Sequence, residues 1–288
     1  VDANTMERSM FSARIFFLCA STVGTTQLLL NSASAEFPNG LANSSGVLGN
    51  YLMDHFVGIG VAGMFADNSD TYFSGNRPTG LYIPRFRNVQ KQDDDVSFVR
   101  GYGYQTMLSS GNWMSQFNSK GFGADLKNNL RKIPQTWAFY AAGFGECLPQ
   151  KKNRIYLSKT KKDRFGIPQV AFDFTWGDNE KAMAKDVKVQ GERIMKAAES
   201  NFAMAFGDTE ALSVPGTAIH EMGTARMGND PKQSVLNKHN QAHDVPNLFV
   251  TDGSFMASSS CVNPSLTYMA FTARACDYAV KQMREGIL

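Results

Sequence analysis

Apolar and polar positions change texture twice along this chain. Residues 1–12 are polar. The run IFFL at 15–18 then reads as a buried strand, and Ser21 and Thr22 can cap a helix that carries QLLLN at 27–31. From 71 to 205 the apolar residues come in short, aromatic-rich bursts: GLYIPRF (80–86), SFVRGYGY (97–104), TWAFYAA (136–142), NRIYLS (153–158) and QVAFDF (169–174). Gly, Pro and Asn punctuate them, so they read as strands. A helix follows through 181–200, with Asp178 and Glu180 at its start and Lys and Arg later, the order that suits the helix dipole. In 206–288 a short apolar strand, LFV at 248–250, ends on Asp252 and Gly253. Asn263 and Pro264 then open a long helix: Asn is a good N-cap, and Pro has no N–H to lose at the first helical position. Met269, Ala273, Cys276, Val280 and Met283 recur at spacings of four and three, which predicts one apolar face. These aromatic-rich strands and the helix after them set 71–205 apart from the segments on either side.

Charge and cysteines narrow the classes. Lys and Arg number 29 against 26 Asp and Glu, a balance that gives no reason to expect nucleic acid or an anionic membrane as partner. The longest apolar run, 57–66, is broken by glycine and too short to span a bilayer. The four cysteines form no CxxC, and Cys19 and Cys276 sit in apolar segments, so they read as buried free thiols.

The chemistry concentrates in 216–278. His220 stands in a glycine-rich turn with Gly223 and Gly228. A strand ending in Asp-Gly, in an α/β chain, points to the carboxyl edge of a sheet, where such folds bind ligands. The small, polar loop 253–262 leads to a helix start whose partial positive charge favours electron-rich atoms. Three other patterns carry less. GIGVAG at 58–63 spells GxGxxG, but LGNYLMDH precedes it and DNSD at 67–70 follows, so neither the strand nor the helix that would give it meaning is present, and a glycine-rich strand is the better reading. His55, in that preceding segment, reads as structural. His239 and His243 have the spacing of two zinc ligands, but no Glu follows the first His and no helical pattern surrounds them; no metal site is expected. Asp252-Gly253-Ser254 resembles half of a nucleophile elbow, but no GxSxG occurs.

Three blocks in order, HEMGTARMG at 220–228, NLFVTDGS at 247–254 and NPSLT at 263–267, resemble the C-terminal signature of the glucose–methanol–choline (GMC) family of FAD-dependent oxidoreductases. The resemblance implies His220 as catalytic base with Asn263 as its partner. It implies FAD contacts from Ala20, Ser21, Thr22, Asp252, Gly253, Pro264 and Ser265, and an alcohol or sugar as substrate. Glu146 is a candidate substrate contact, beside the plainer reading of a buried or loop-end Glu. Asn263 cannot spend one side chain on both capping and substrate, and the resemblance favours substrate. The family's dinucleotide fingerprint belongs upstream of the segment that 13–31 resembles. The resemblance therefore implies a partial α/β FAD-binding domain, 1–70 and 206–288, without its N-terminal Rossmann portion, with an α+β substrate-binding domain built on an antiparallel sheet inserted at 71–205 and the N-terminal half of the same protein as partner. An alternative is a non-catalytic binding or structural remnant lacking the half that anchors FAD.

Overall fold

A computed structural model describes residues 1–66, 80–110, 121–131 and 136–288. The start of the expected insert, 71–79, and DNSD at 67–70 lie outside the described residues. The elements run β1 (Phe16–Leu18), α1 (Ser21–Asn31), β2 (Gly60–Phe65), β3 (Tyr82–Ile83), β4 (Tyr102–Ser110), α2 (Gly123–Arg131), β5 (Trp137–Gly145), β6 (Arg154–Lys162), β7 (Pro168–Asp173), α3 (Asp178–Ala197), β8 (Phe202–Phe206), β9 (Leu248–Val250) and α4 (Ser265–Arg284). They form a mixed α/β chain of two compact units.

The first unit comprises Val1–His55, Cys147–Trp176 and Pro215–Leu288. In it β1 pairs in parallel with β9, Phe17 opposite Phe249. β6 and β7 form a hairpin on which α1 packs. Leu29, Leu48, Val235, Leu236, Val250 and Phe255 lie in one buried cluster beneath α1 and β9. Residues 147–176 thus belong here, not with the insert as the aromatic texture of 71–205 implied. The hairpin's aromatic residues serve α1 and the first unit's core: Phe174 and Trp176 pack with Met53 and Met222.

Four expectations about this unit are corrected. β1 is not buried: Phe16 and Phe17 are exposed, since the strand pairs with β9 alone in its sheet. The cap reading for α1 fails as well, because the helix begins at Ser21 without a side-chain cap and the Thr22 hydroxyl instead donates to the Glu221 carbonyl at 2.6 Å. On α4, the stripe of Met269, Ala273, Cys276 and Val280 faces outward. The packed face is Tyr268, Phe271, Ala275 and Ala279, where two alanines let the helix approach Phe249 while Phe271 stacks on Phe255 at 4.9 Å. This helix has two stripes at helical spacing, and the spacing alone selects neither. Cys19 and Cys276 are consequently free but exposed; Cys147 and Cys261 are the buried thiols.

The second unit comprises Phe56–Glu146 and Gly177–Val214. Its sheet is antiparallel, in the order β3-β4-β5-β2-β8, and α3 packs on β2, β5 and β8. The glycines of GIGVAG serve this packing. Gly63 in β2 faces the Met195 thioether of α3 so closely that any Cβ would collide with it. Pro84, which cannot donate to a ladder, follows β3 at its second residue. A half-buried charge cluster supports the helix: Arg87 grips the Asp186 carboxylate with two hydrogen bonds of 2.8 Å, and the Tyr102 hydroxyl donates to the same carboxylate at 2.6 Å.

Candidate active site

Met53 and Met222 exchange both backbone hydrogen bonds at 2.9 Å in an antiparallel bridge. The same register, carried two residues along, sets His55 opposite His220. Side chains two residues apart share a face, so both imidazoles project together. Their Nδ1 atoms lie 2.9 Å apart and the rings meet edge to face. Asp54, buried between Met53 and His55, turns back. Its carboxylate accepts from the backbone N–H of Gly216 at 2.7 Å and of His220 at 3.3 Å, fastening both ends of the turn that carries His220.

The glycine-rich signature is held on its other side by the 3₁₀ turn Gly253–Phe255. Gly223, Ala225 and Met227 donate to the carbonyls of Gly253, Ser254 and Phe255 at 2.9–3.0 Å. Gly223 has φ +86°, and a Cβ there would strike the Tyr51 carbonyl. Gly253 is the point where the site's elements converge: a Cβ would lie 2.5 Å from the Glu221 carbonyl and 2.6 Å from both the Thr22 and Tyr268 hydroxyls. The starts of α1 and α4 therefore come together beside the residue that follows His220.

The loop before α4 is also tied down. The Ser259 hydroxyl accepts from the Cys147 N–H at 2.9 Å and donates to the Cys147 carbonyl at 3.0 Å. The next carbonyl, Ser260, lies 2.5 Å from His55 Nε2. Asn263 emerges from this anchored loop with its side-chain Nδ2 2.9 Å from His220 Nε2. The α4 N-cap is Pro264, with no side-chain cap, so of the two roles weighed for Asn263 the cap is not taken up; its amide is turned to His220.

The expected residues divide as follows. His220 and Asn263 are in contact. Thr22, Asp252, Gly253 and Pro264 are buried in the adjoining floor, whereas Ala20, Ser21 and Ser265 are exposed. Asp252 has its carboxylate occupied by the Thr25 hydroxyl and by the N–H and hydroxyl of Ser254. Glu146 belongs to the second unit. It is buried and paired with Arg85 at 2.6 Å, as the plainer reading had it. His239 stacks on Tyr278 at 3.9 Å and His243 meets the Ser234 hydroxyl at 3.0 Å. His55, Asp54 and Ser259 were missed as site residues. Only the DH pair inside an apolar run hinted at them, because their role depends on a bridge between distant segments.

Burial lowers the pKa of both histidines. For His220 desolvation is the main cause, with Asp54 and Glu221 opposing it. His55 is pushed down to about 4, mainly by burial and further by His220, against the Ser260 carbonyl and Asp54. An unfolded His55 takes up its proton near 6.5. The unfolded state therefore binds more protons between pH 6.5 and 4, and stability present above 6.5 is lost as the pH falls toward 4. Melting curves across that window are expected to show a loss on the order of 1–3 kcal/mol from this group. It is read as the difference in slope between wild type and His55→Asn. Equal slopes would mean that His55 is not buried neutral.

Residues 149–272 match the sequence model of the family described as GMC oxidoreductase. A 2-methyl-1,2-propanediol dehydrogenase of Mycolicibacterium austroafricanum is 35% identical over 99% of this chain and 51% of its own length. A fructose dehydrogenase large subunit of Gluconobacter japonicus is 31% identical over 95% of this chain and 48% of its own. Among solved structures, a formate oxidase of Aspergillus oryzae shares the fold, with TM-score 0.61 at 14% identity over 96% of this chain and 56% of that one. The family match and these relatives make the chain part of an oxidoreductase. The chain belongs to the GMC oxidoreductase family and spans about half the length of the curated relatives it matches.

Proposed function

We propose that the protein carrying this chain oxidises the CH–OH group of a small polyol, sugar or other alcohol, with FAD as cofactor. The observation that carries the reading is the 2.9 Å contact between the Asn263 amide and His220 Nε2, on a histidine kept neutral by burial.

The site's chemistry follows from what each residue can do. An alcohol carbon gives up hydride readily only as its hydroxyl loses a proton, since an alkoxide expels hydride far better than an alcohol. A neutral imidazole with a lowered pKa takes that proton at working pH. His220 fills this role at Nε2, the nitrogen turned to Asn263. The Asn263 N–H then donates to the alkoxide oxygen as negative charge grows there. Asp54 holds the turn so that the imidazole keeps its place.

The residues present suit a flavin. Neither α1 nor α4 has a side-chain cap at its N-terminus, and exposed Ser21 and Ser265 stand at the two helix starts that converge on Gly253. Helix-start N–H groups and hydroxyls are the donor set an electron-rich ring edge requires. Ala20, Ser21 and Ser265 would hold the group, over a floor of Thr22, Asp252, Gly253 and Pro264. FAD supplies the two-electron acceptor that no side chain can provide.

The named activities of the relatives, on a branched diol and on fructose, favour small polyhydroxylated substrates. Anaerobic mixing of the FAD-loaded protein with a panel of diols, sugars and long-chain alcohols tests the reading. Bleaching of the oxidised flavin band by diols or sugars is the expected result. No bleaching by any alcohol would favour the non-catalytic alternative.

A further inference from the structure

The proton positions on the two histidines can be worked out from their partners, starting at a contact whose direction is fixed. Ser260 offers His55 Nε2 a backbone carbonyl, which can only accept. Nε2 of His55 must therefore carry a proton. A neutral imidazole has one N–H, so His55 Nδ1 is left with a lone pair. That lone pair faces His220 Nδ1 at 2.9 Å, and two lone pairs would repel there. His220 must then carry its proton on Nδ1 and donate to His55. Its Nε2 is left bare, facing the Asn263 Nδ2 at 2.9 Å, which donates to it. Each step follows from the one before, and the chain begins on a carbonyl of the loop that also delivers Asn263.

We infer that His55 is a positioning residue: through the Ser260 carbonyl it locks His220 in the Nδ1–H tautomer, so that Nε2 keeps the lone pair that accepts from Asn263 here and takes the proton of the substrate hydroxyl in the reaction. The inference rests on the reading of His220 as base. Without such a partner an imidazole favours the Nε2–H form, which would present a proton to the hydroxyl where a base is needed. His55 can do this only while neutral, and its burial keeps it so above about pH 4. The charged groups acting on the pair are Asp54 and Glu221, both acidic, and neither offers a competing donor. The arrangement has the logic by which an outer partner fixes the tautomer of a working histidine, with a second imidazole and a peptide carbonyl in the place of a carboxylate.

The direct test is long-range ¹H–¹⁵N spectroscopy of the histidine rings in the FAD-loaded protein at pH 7. His220 is expected to show a protonated Nδ1 and a bare Nε2, and His55 the reverse. A proton on His220 Nε2 in the wild type would overturn the inference. Two variants extend the test. In His55→Leu the acceptor is gone; His220 is expected to change to the Nε2–H form and kcat to fall roughly 10²–10⁴-fold with KM little changed. His55→Asn places an amide oxygen where Nδ1 stood, and is expected to keep the tautomer and hold kcat within about tenfold of wild type. A His55→Leu protein that keeps the wild-type kcat would also overturn the inference. Failure of the function itself is separable: if His220→Ala reduced flavin at the normal rate, His220 would not be the base, while the ring spectrum would still report the tautomer.

Discussion

His220→Ala is expected to slow flavin reduction by roughly 10²–10⁴-fold while FAD content and melting temperature stay close to wild type. The size follows from what is removed. The imidazole is kept neutral by burial, which lowers its pKa, and it aims a nitrogen at Asn263. Without it the hydroxyl proton has only water as acceptor. The side chain is half-buried and does not belong to the packed cores around it, so truncation removes its contacts with His55 and Asn263 but no core volume. The backbone of the turn stays fastened, since its N–H groups bond to Asp54 and not to the ring. Stopped-flow bleaching under anaerobic conditions reads the rate. An unchanged rate would remove His220 from the chemistry.

The parts of this site that were legible in sequence are those whose residue type carries its own reason. Gly223 must be glycine because its φ is positive, Gly253 because three groups crowd its missing Cβ, and Pro264 stands where a helix starts. Aromatic-rich bursts between Gly, Pro and Asn made the strands of the antiparallel sheet legible, and acids placed before Lys and Arg did the same for the helix Asp178–Ala197. What was illegible depends on pairing at a distance. Nothing near His55 announces His220, 165 residues away; the register of the Met53–Met222 bridge brings them together. The carboxylate of Glu146 could have faced a substrate or a cation, and only the fold supplies Arg85. The apolar stripe of α4 was drawn on the wrong face because that helix carries two, and the small residues Ala275 and Ala279, not the larger Met269 and Val280, mark the side that packs. The hairpin at 147–176 has the texture of the inserted sheet but joins the other unit, since local pattern reports strand character and not the sheet that a strand joins.

Asn263→Asp separates geometry from chemistry at the same position. The side chains are equal in size, and the cap of α4 is Pro264, so no cap is lost and the ~0.5–2 kcal/mol of a missing N-cap does not apply. A carboxylate near the start of α4 also meets the favourable end of the helix dipole. Folding stability is therefore expected to hold. The chemistry is expected to fail for two reasons. The variant has no N–H to give the alkoxide, and loss of one such donor costs about 10²–10³-fold in rate. The carboxylate would also stand about as close to His220 Nε2 as the 2.9 Å of the native amide. There it favours the imidazolium, raising a pKa that burial had lowered and filling the nitrogen that should take the proton. Flavin reduction should fall by at least 10²-fold at neutral pH and recover in part as the pH rises and the imidazolium loses its proton. The stability of the new ion pair has the matching sign: a folded pKa above the unfolded value gives stability that is full below the unfolded pKa and is lost as pH climbs through the folded one. Asn263→Ala supplies the control, with the donor removed and no charge added. It should lose about 10²-fold without the recovery at high pH. A wild-type rate in Asn263→Asp, with the melting temperature unchanged, would mean that the Asn263 amide only touches His220 and takes no part in the reaction.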